Sequence, residues 1–159
     1  MPANNKDFIF SILFLCAVFY AGKAKGQAKS SIGVGAALNI SKESSQGFGA
    51  LLQGEIKLAK SVSIVPSVGG EVAYGVYAGL AGRYYFNPAI YVSAGSFANY
   101  NGEDGSGAGA TGSIGFMLMS NHRQTIDLNF HGDYIKNKYQ TIPVAGVRFI
   151  YSFSFTRLN

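Results

Sequence analysis

Between positions 143 and 155 the chain alternates between two faces. Val147, Phe149, Tyr151, Phe153 and Phe155 lie on one, and Gly146, Arg148, Ile150, Ser152 and Ser154 on the other. A period of two sustained over that length belongs to a β-strand and excludes a helix, whose apolar positions recur every three to four residues. Five large apolar side chains against a face with an arginine at its centre place the two faces in different media. Lipid outside and a polar lumen inside is the arrangement that fits.

Seven more stretches behave in the same way. Cut at turn residues, the chain gives strands at 31–40, 48–58, 61–72, 74–86, 89–98, 108–120, 124–135 and 143–155. Each reaches or slightly exceeds the roughly 9 to 11 residues that a tilted membrane strand needs. Even-numbered positions collect Val34, Leu38, Leu52, Ile56, Val68, Leu80, Ile114, Leu128 and Phe130, and the parity switches in the last strand. Odd-numbered positions collect Asn39, Gln53, Glu55, Ser63, Ser67, Glu71, Arg83, Thr111, Asp127, Asn129, His131 and Asp133. Such a pattern predicts an all-β, eight-stranded, antiparallel, up-and-down transmembrane β-barrel.

Even strand number puts both chain ends on one side, expected to be the periplasm. Tight turns at Ala59-Lys60, Asn87-Pro88 and around His122 fall there. Longer polar loops at 41–47, 99–107 and 136–142 fall outside, and the short connection near Glu71 is the hairpin boundary least fixed by pattern. Aromatic rings favour the headgroup level. Tyr84, Phe86, Tyr91, Phe153 and Phe155 form one expected girdle, and Phe48, Tyr100 and Tyr134 the other. The chain holds 21 glycines, many at strand positions, which suits close approach inside a narrow barrel.

The first 28 residues read as a cleavable signal peptide, with the barrel domain at 29–159. An apolar run of about 15 residues, 8–22, follows Lys6 and is too short to span a bilayer comfortably as a helix. Cleavage after Ala28 is preferred, with a cut after Gly26 or an uncleaved anchor as alternatives. The single cysteine, Cys16, leaves with the leader, so the mature chain has no disulfide and no thiolate metal site. Formal charge falls from +5 to about +3 once the leader is gone, and no basic cluster suggests nucleic acid. A secreted soluble sandwich is the competing fold. Charged residues make up 13% of the chain, well below the roughly 25% of soluble domains, and tryptophan is absent.

Taken together, these strands resemble the small eight-stranded outer-membrane proteins, the group that includes OmpX and the transmembrane domain of OmpA. The most specific element is the C-terminal assembly signal, matched by Gly146, Phe149 and Tyr151. Val144 stands where a polar residue is usual, and four residues follow Phe155 where the family tends to end on an aromatic. The resemblance implies residence in the bacterial outer membrane, contact with its lipid and lipopolysaccharide, insertion by the barrel-assembly machinery, and a monomer.

Chemistry-bearing motifs are sparse. Gly107, Gly109 and Gly112 spell G-x-G-x-x-G, but no βαβ unit surrounds them. His122 and His131 invite comparison with barrels such as PagL and PagP, which act on lipid A. His122 lies in a tight turn and His131 has no serine two positions away on its strand, so no catalytic residue, cofactor or metal site is expected. The charges are more informative. Turn positions place Glu55 level with Ser63 and Arg83 beside it, and set Arg148 opposite Asn129, diagonal to Asp127 and His131. An eight-stranded barrel has an interior just wide enough for side chains. A lumen plugged by mutually neutralising charges, in a structural or surface-contact protein, is therefore the expected function. A small pore and a lipid-modifying enzyme are the alternatives.

Overall fold

The structure is a computed structural model that describes residues 28–41, 47–72, 75–102, 105–121, 123–138 and 141–155. The expected leader up to residue 27, with Cys16, lies outside the described residues, as do 42–46 and His122. Eight strands follow in order: β1 (Ser31–Ser41), β2 (Gly47–Lys57), β3 (Val62–Glu71), β4 (Gly75–Asn87), β5 (Ile90–Asn101), β6 (Gly105–Ser120), β7 (Gln124–Lys136) and β8 (Thr141–Ser154). Each pairs antiparallel with the next, and β1 pairs with β8, so the sheet closes and has no free edge.

Partner-to-partner steps around the barrel, starting at Ser31, return to β1 at Ser41. That stagger of about ten residues is what tilts the strands and sets a narrow bore. Register irregularities fall at Tyr85/Asn87 and Met117/Met119, both near the rim that holds the chain ends, called here the lower rim. Bulges are common at barrel rims because the extra residue relaxes the ladder where it ends.

Burial is inverted relative to a soluble protein. Val34, Leu38, Leu52, Val68, Leu80, Ile114 and Phe130 are exposed on the outer wall, while Glu55, Glu71, Arg83, Asp127 and Asp133 are buried inside. Acidic and basic groups are almost never fully buried unless paired, and a sandwich would have hidden the other face. The transmembrane barrel is therefore the fold, and the soluble sandwich is excluded.

Turn chemistry accounts for the lower rim. The Asn87 side-chain oxygen accepts from the amides of Ala89 and Ile90, both at 2.8 Å, and closes the tightest hairpin. At the upper rim Gly75 and Gly105 have φ of 70° and 76°, a backbone region that strains other residues. Gly75 fixes the hairpin boundary that pattern left open. Gly105 accounts for a difference: the outer loop expected at 99–107 is mostly strand, with Asn99, Tyr100 and Asn101 paired to Gly107, Ser106 and Gly105. Polar ladders beyond the lipid remain hydrogen-bonded in water, and glycine gives no periodic signal to reveal them.

Two further expectations are corrected. The second hairpin turns at 58–61, so Lys57 pairs with Ser63, and Glu55 lies diagonal to Ser63 instead of level with it. Tyr91 is not in the girdle. It faces inward with no exposure, whereas Tyr84, Phe153 and Phe155 are exposed outside. Its odd position on β5 puts it on the lumen face, and a paired hydroxyl lets a tyrosine be buried there.

Candidate functional site

The lumen is the only place among the described residues where charged groups converge, and it is organised in two layers. In the lower layer Glu55 is central. One carboxylate oxygen accepts from the hydroxyls of Ser63 at 2.8 Å and Tyr85 at 2.6 Å, and the other from Arg83 Nη1 at 2.9 Å. The Arg83 guanidinium lies 4.1 Å over the Tyr91 ring, whose hydroxyl donates to Asp127 at 2.6 Å. Asn129 Nδ2 donates to the Ser113 hydroxyl at 2.9 Å and also reaches the Tyr91 oxygen at 3.4 Å.

Lys29, just before β1, completes this layer. Its buried ammonium donates to the Thr125 hydroxyl. Burial pulls its pKa below the ordinary lysine range, and the nearby Glu55 and Asp127 carboxylates oppose that shift. Two carboxylates and two cations thus balance. The preceding residue is also part of the fold: Ala28 packs on Tyr85 and Tyr91, and its amide donates to the Lys60 carbonyl at 2.8 Å.

The upper layer centres on Arg148, with Nη2 3.4 Å from both Glu71 Oε1 and Asp133 Oδ2. Glu71 also accepts from the Tyr77 hydroxyl at 2.9 Å and from Asn39 Nδ2. Asp133 lies 2.8 Å from His131 Nδ1. Leu51, Tyr77, Phe97, Ile135, Ile142 and Val144 pack around these groups. The structure therefore pairs Arg83 with Glu55. Arg148 is opposite Asn129 in the register but bonds Asp133, further up the neighbouring β7, and Glu71 across the bore on β3, in place of the expected diagonal groups Asp127 and His131.

Glycine makes room for these side chains. Tyr91, Phe97 and Tyr77 pair directly with Gly115, Gly109 and Gly69, and each ring occupies the space a Cβ would fill at its glycine. Asn39 and His131 meet over Gly146 in the same way. Gly146 is thus a lumen residue, while Phe149 and Tyr151, the other two residues of the expected assembly signal, are exposed on the outer wall against Ala36 and Val34 of β1.

Between the layers lies a chamber of about 50 Å³, bounded by Arg83, Arg148, Gln53, Ser67, Thr111 and Asn129 among others. A second hollow of about 30 Å³ adjoins it beside Tyr77 and Phe97. A water needs roughly 10 to 15 Å³ measured this way, so a few small species fit and no continuous channel is implied.

Sequence reasoning missed Lys29, Tyr77 and Tyr85 as members. The parity of Tyr77 and Tyr85 on β4 was a usable signal; that of Lys29 was obscured by its place beside the expected cleavage site. Ser113 was assigned to the lumen face, but its pairing with His131 across β6 and β7 was not foreseen. A Ser-His-Asp set is therefore near at hand. Yet the Ser113 hydroxyl is bonded to Ser93 at 2.6 Å and Asn129 at 2.9 Å, and the His131 side chain has no exposure.

No protein-family model matches the chain, and no curated protein matches it. Solved structures do. A de novo designed transmembrane β-barrel is 8% identical, with a TM-score of 0.54 over 80% of this chain and 98% of the other. The N-terminal β-barrel domain of Pseudomonas aeruginosa OprF is 17% identical, with a TM-score of 0.51 over 80% and 100%. A KdgM porin in complex with disordered oligogalacturonate is 14% identical, with a TM-score of 0.33 over 79% and 99%. The first two share the fold defined above, an eight-stranded closed transmembrane barrel.

Proposed function

We propose that this chain is a non-catalytic integral protein of the bacterial outer membrane, whose lumen is closed by two ion-paired layers and whose role is structural or one of surface contact. The observation that carries this reading is the pairing of both lumen arginines with buried carboxylates, Arg83 with Glu55 and Arg148 with Glu71 and Asp133. The lower rim then faces the periplasm, and Gly146, Phe149 and Tyr151 serve the assembly machinery. A hydrolase is disfavoured by the sealed setting of His131, since an acyl chain cannot reach a histidine packed inside the wall. Purified protein is expected to require detergent, to change its gel mobility on heating, and to be electrically silent in a planar bilayer. Steady conductance would favour the pore, and release of fatty acid from outer-membrane lipid would favour the enzyme.

Packing at the lower rim also bears on maturation. A cut after Ala28 would remove a buried residue and its bond to Lys60 and leave a new charged amine on Lys29, itself buried. The cut after Gly26 keeps all of these, and is preferred on this ground over the cut after Ala28 expected from sequence. Intact mass of the membrane-inserted protein is expected to show Gln27 first. A mass beginning at Lys29 would refute this assignment.

A further inference from the structure

We propose that the chamber between the two layers is a binding site for one small inorganic anion of halide size. Its wall is chemically one-sided. Both arginines of the lumen, Arg83 and Arg148, border it, whereas none of the four lumen carboxylates, Glu55, Glu71, Asp127 and Asp133, does. Each guanidinium is bonded to carboxylates that lie outside the chamber wall. The middle is left positive in potential and lined by neutral hydrogen-bonding groups, Ser67 and Gln53 among them.

Arg83 supplies a second observation. Its side chain is 4% exposed, and among the described residues its Nε has no hydrogen-bond partner. A buried guanidinium N–H left without an acceptor is costly, and a charge-assisted bond to an anion is the strongest way to satisfy it. Low dielectric in a sealed lumen strengthens that attraction and also makes an unfilled positive chamber unfavourable. Size limits the ligand: about 50 Å³ is a third of the roughly 150 Å³ cavity that holds a benzene, which excludes sugars and organic phosphates. Chloride or bromide fits.

The site is tested on the mature barrel in detergent at constant ionic strength. Unfolding temperature is expected to rise with the logarithm of chloride or bromide concentration and to stay flat when gluconate, too large to enter, replaces them. Crystals soaked in bromide are expected to show an anomalous peak between Arg83 and Arg148. Ser67→Asp would tether a carboxylate in the chamber. This variant is expected to insert normally and to lose the halide dependence, while Val68→Asp, one residue along on the lipid face, is expected to impair insertion. Equal melting of the native protein in halide and gluconate would overturn the site. So would a halide shift that persists unchanged in Ser67→Asp, which marks a general salt effect, or only water at the bromide-soaked position. Because none of these outcomes depends on conductance or enzymatic assays, the site can fail while the structural role stands.

Discussion

Replacing Arg83 with methionine is expected to destabilise the barrel by about 3 to 5 kcal/mol, because the buried Glu55 loses its ion-pair partner and the lower layer is left with two carboxylates against Lys29 alone. Glu55 would keep its bonds from Ser63 and Tyr85, which soften the loss without supplying a positive charge. Adding Glu55→Leu is expected to recover much of it, since an apolar pair of similar volume can replace a buried ion pair at nearly no cost. The recovery will be incomplete. Tyr85 then loses its acceptor, and Tyr91 loses the guanidinium above its ring. Urea unfolding from lipid vesicles on both single variants and the double variant gives the coupling energy directly. Additive losses would show that the two residues act independently. A lining-charge role in a pore would instead change conductance while leaving stability almost untouched.

Faces were legible in the sequence because lipid and lumen impose opposite polarity on alternate residues. That constraint acts at every position of a strand, so Val68, Leu80 and Phe130 were assigned correctly without any knowledge of pairing. Arg83 opposite Ser63 and Arg148 opposite Asn129 also followed, because parity and tight turns fix the register of a hairpin. Partners across the bore were a different matter. Arg148 reaches Glu71 on β3, and no local rule relates β8 to β3; only the closure and stagger of the whole barrel bring them together. The observed register of β2 against β3 lies two residues from the expected one, because the hairpin is centred on Lys60, which sets Lys57 and not Glu55 opposite Ser63.

Tyrosine was the least readable residue type. Tyr84 and Tyr85 are neighbours, yet the first lies on the wall and the second in the lumen. An amphipathic ring suits the headgroup level and also a buried carboxylate, so the rim position of Tyr91 suggested a girdle when its parity pointed inward. The glycines were similarly ambiguous. Composition indicated close approach, but only the paired rings show which glycines serve it.

That distinction predicts opposite outcomes for glycines three positions apart. Gly115 is buried beneath the Tyr91 ring, and a Cβ there would run into Cζ, Cε2 and the hydroxyl oxygen. Gly112 points outward, with nothing within 4 Å of the same added atom. Gly115→Val must therefore push the ring away. Overpacking of this kind costs about 1 to 3 kcal/mol. Loss of the 2.6 Å bond to Asp127 adds a buried carboxylate without that donor, worth about 1 to 3 kcal/mol more. Arg83 would lose its ring as well. The sum approaches the whole stability of a small domain, roughly 5 to 15 kcal/mol, so the heat-modifiable folded band is expected to weaken severely or vanish. Gly112→Val is expected to fold normally, since valine favours strands and glycine carries an entropic cost there. Truncating the ring in the Gly115→Val, Tyr91→Ala double variant is expected to return only part of the folded band, because the steric conflict is removed while the hydroxyl bond to Asp127 stays lost. Equal effects of valine at 112 and 115 would mean that the ring does not lie over Gly115, and the lower layer would then be built differently from the way it is described.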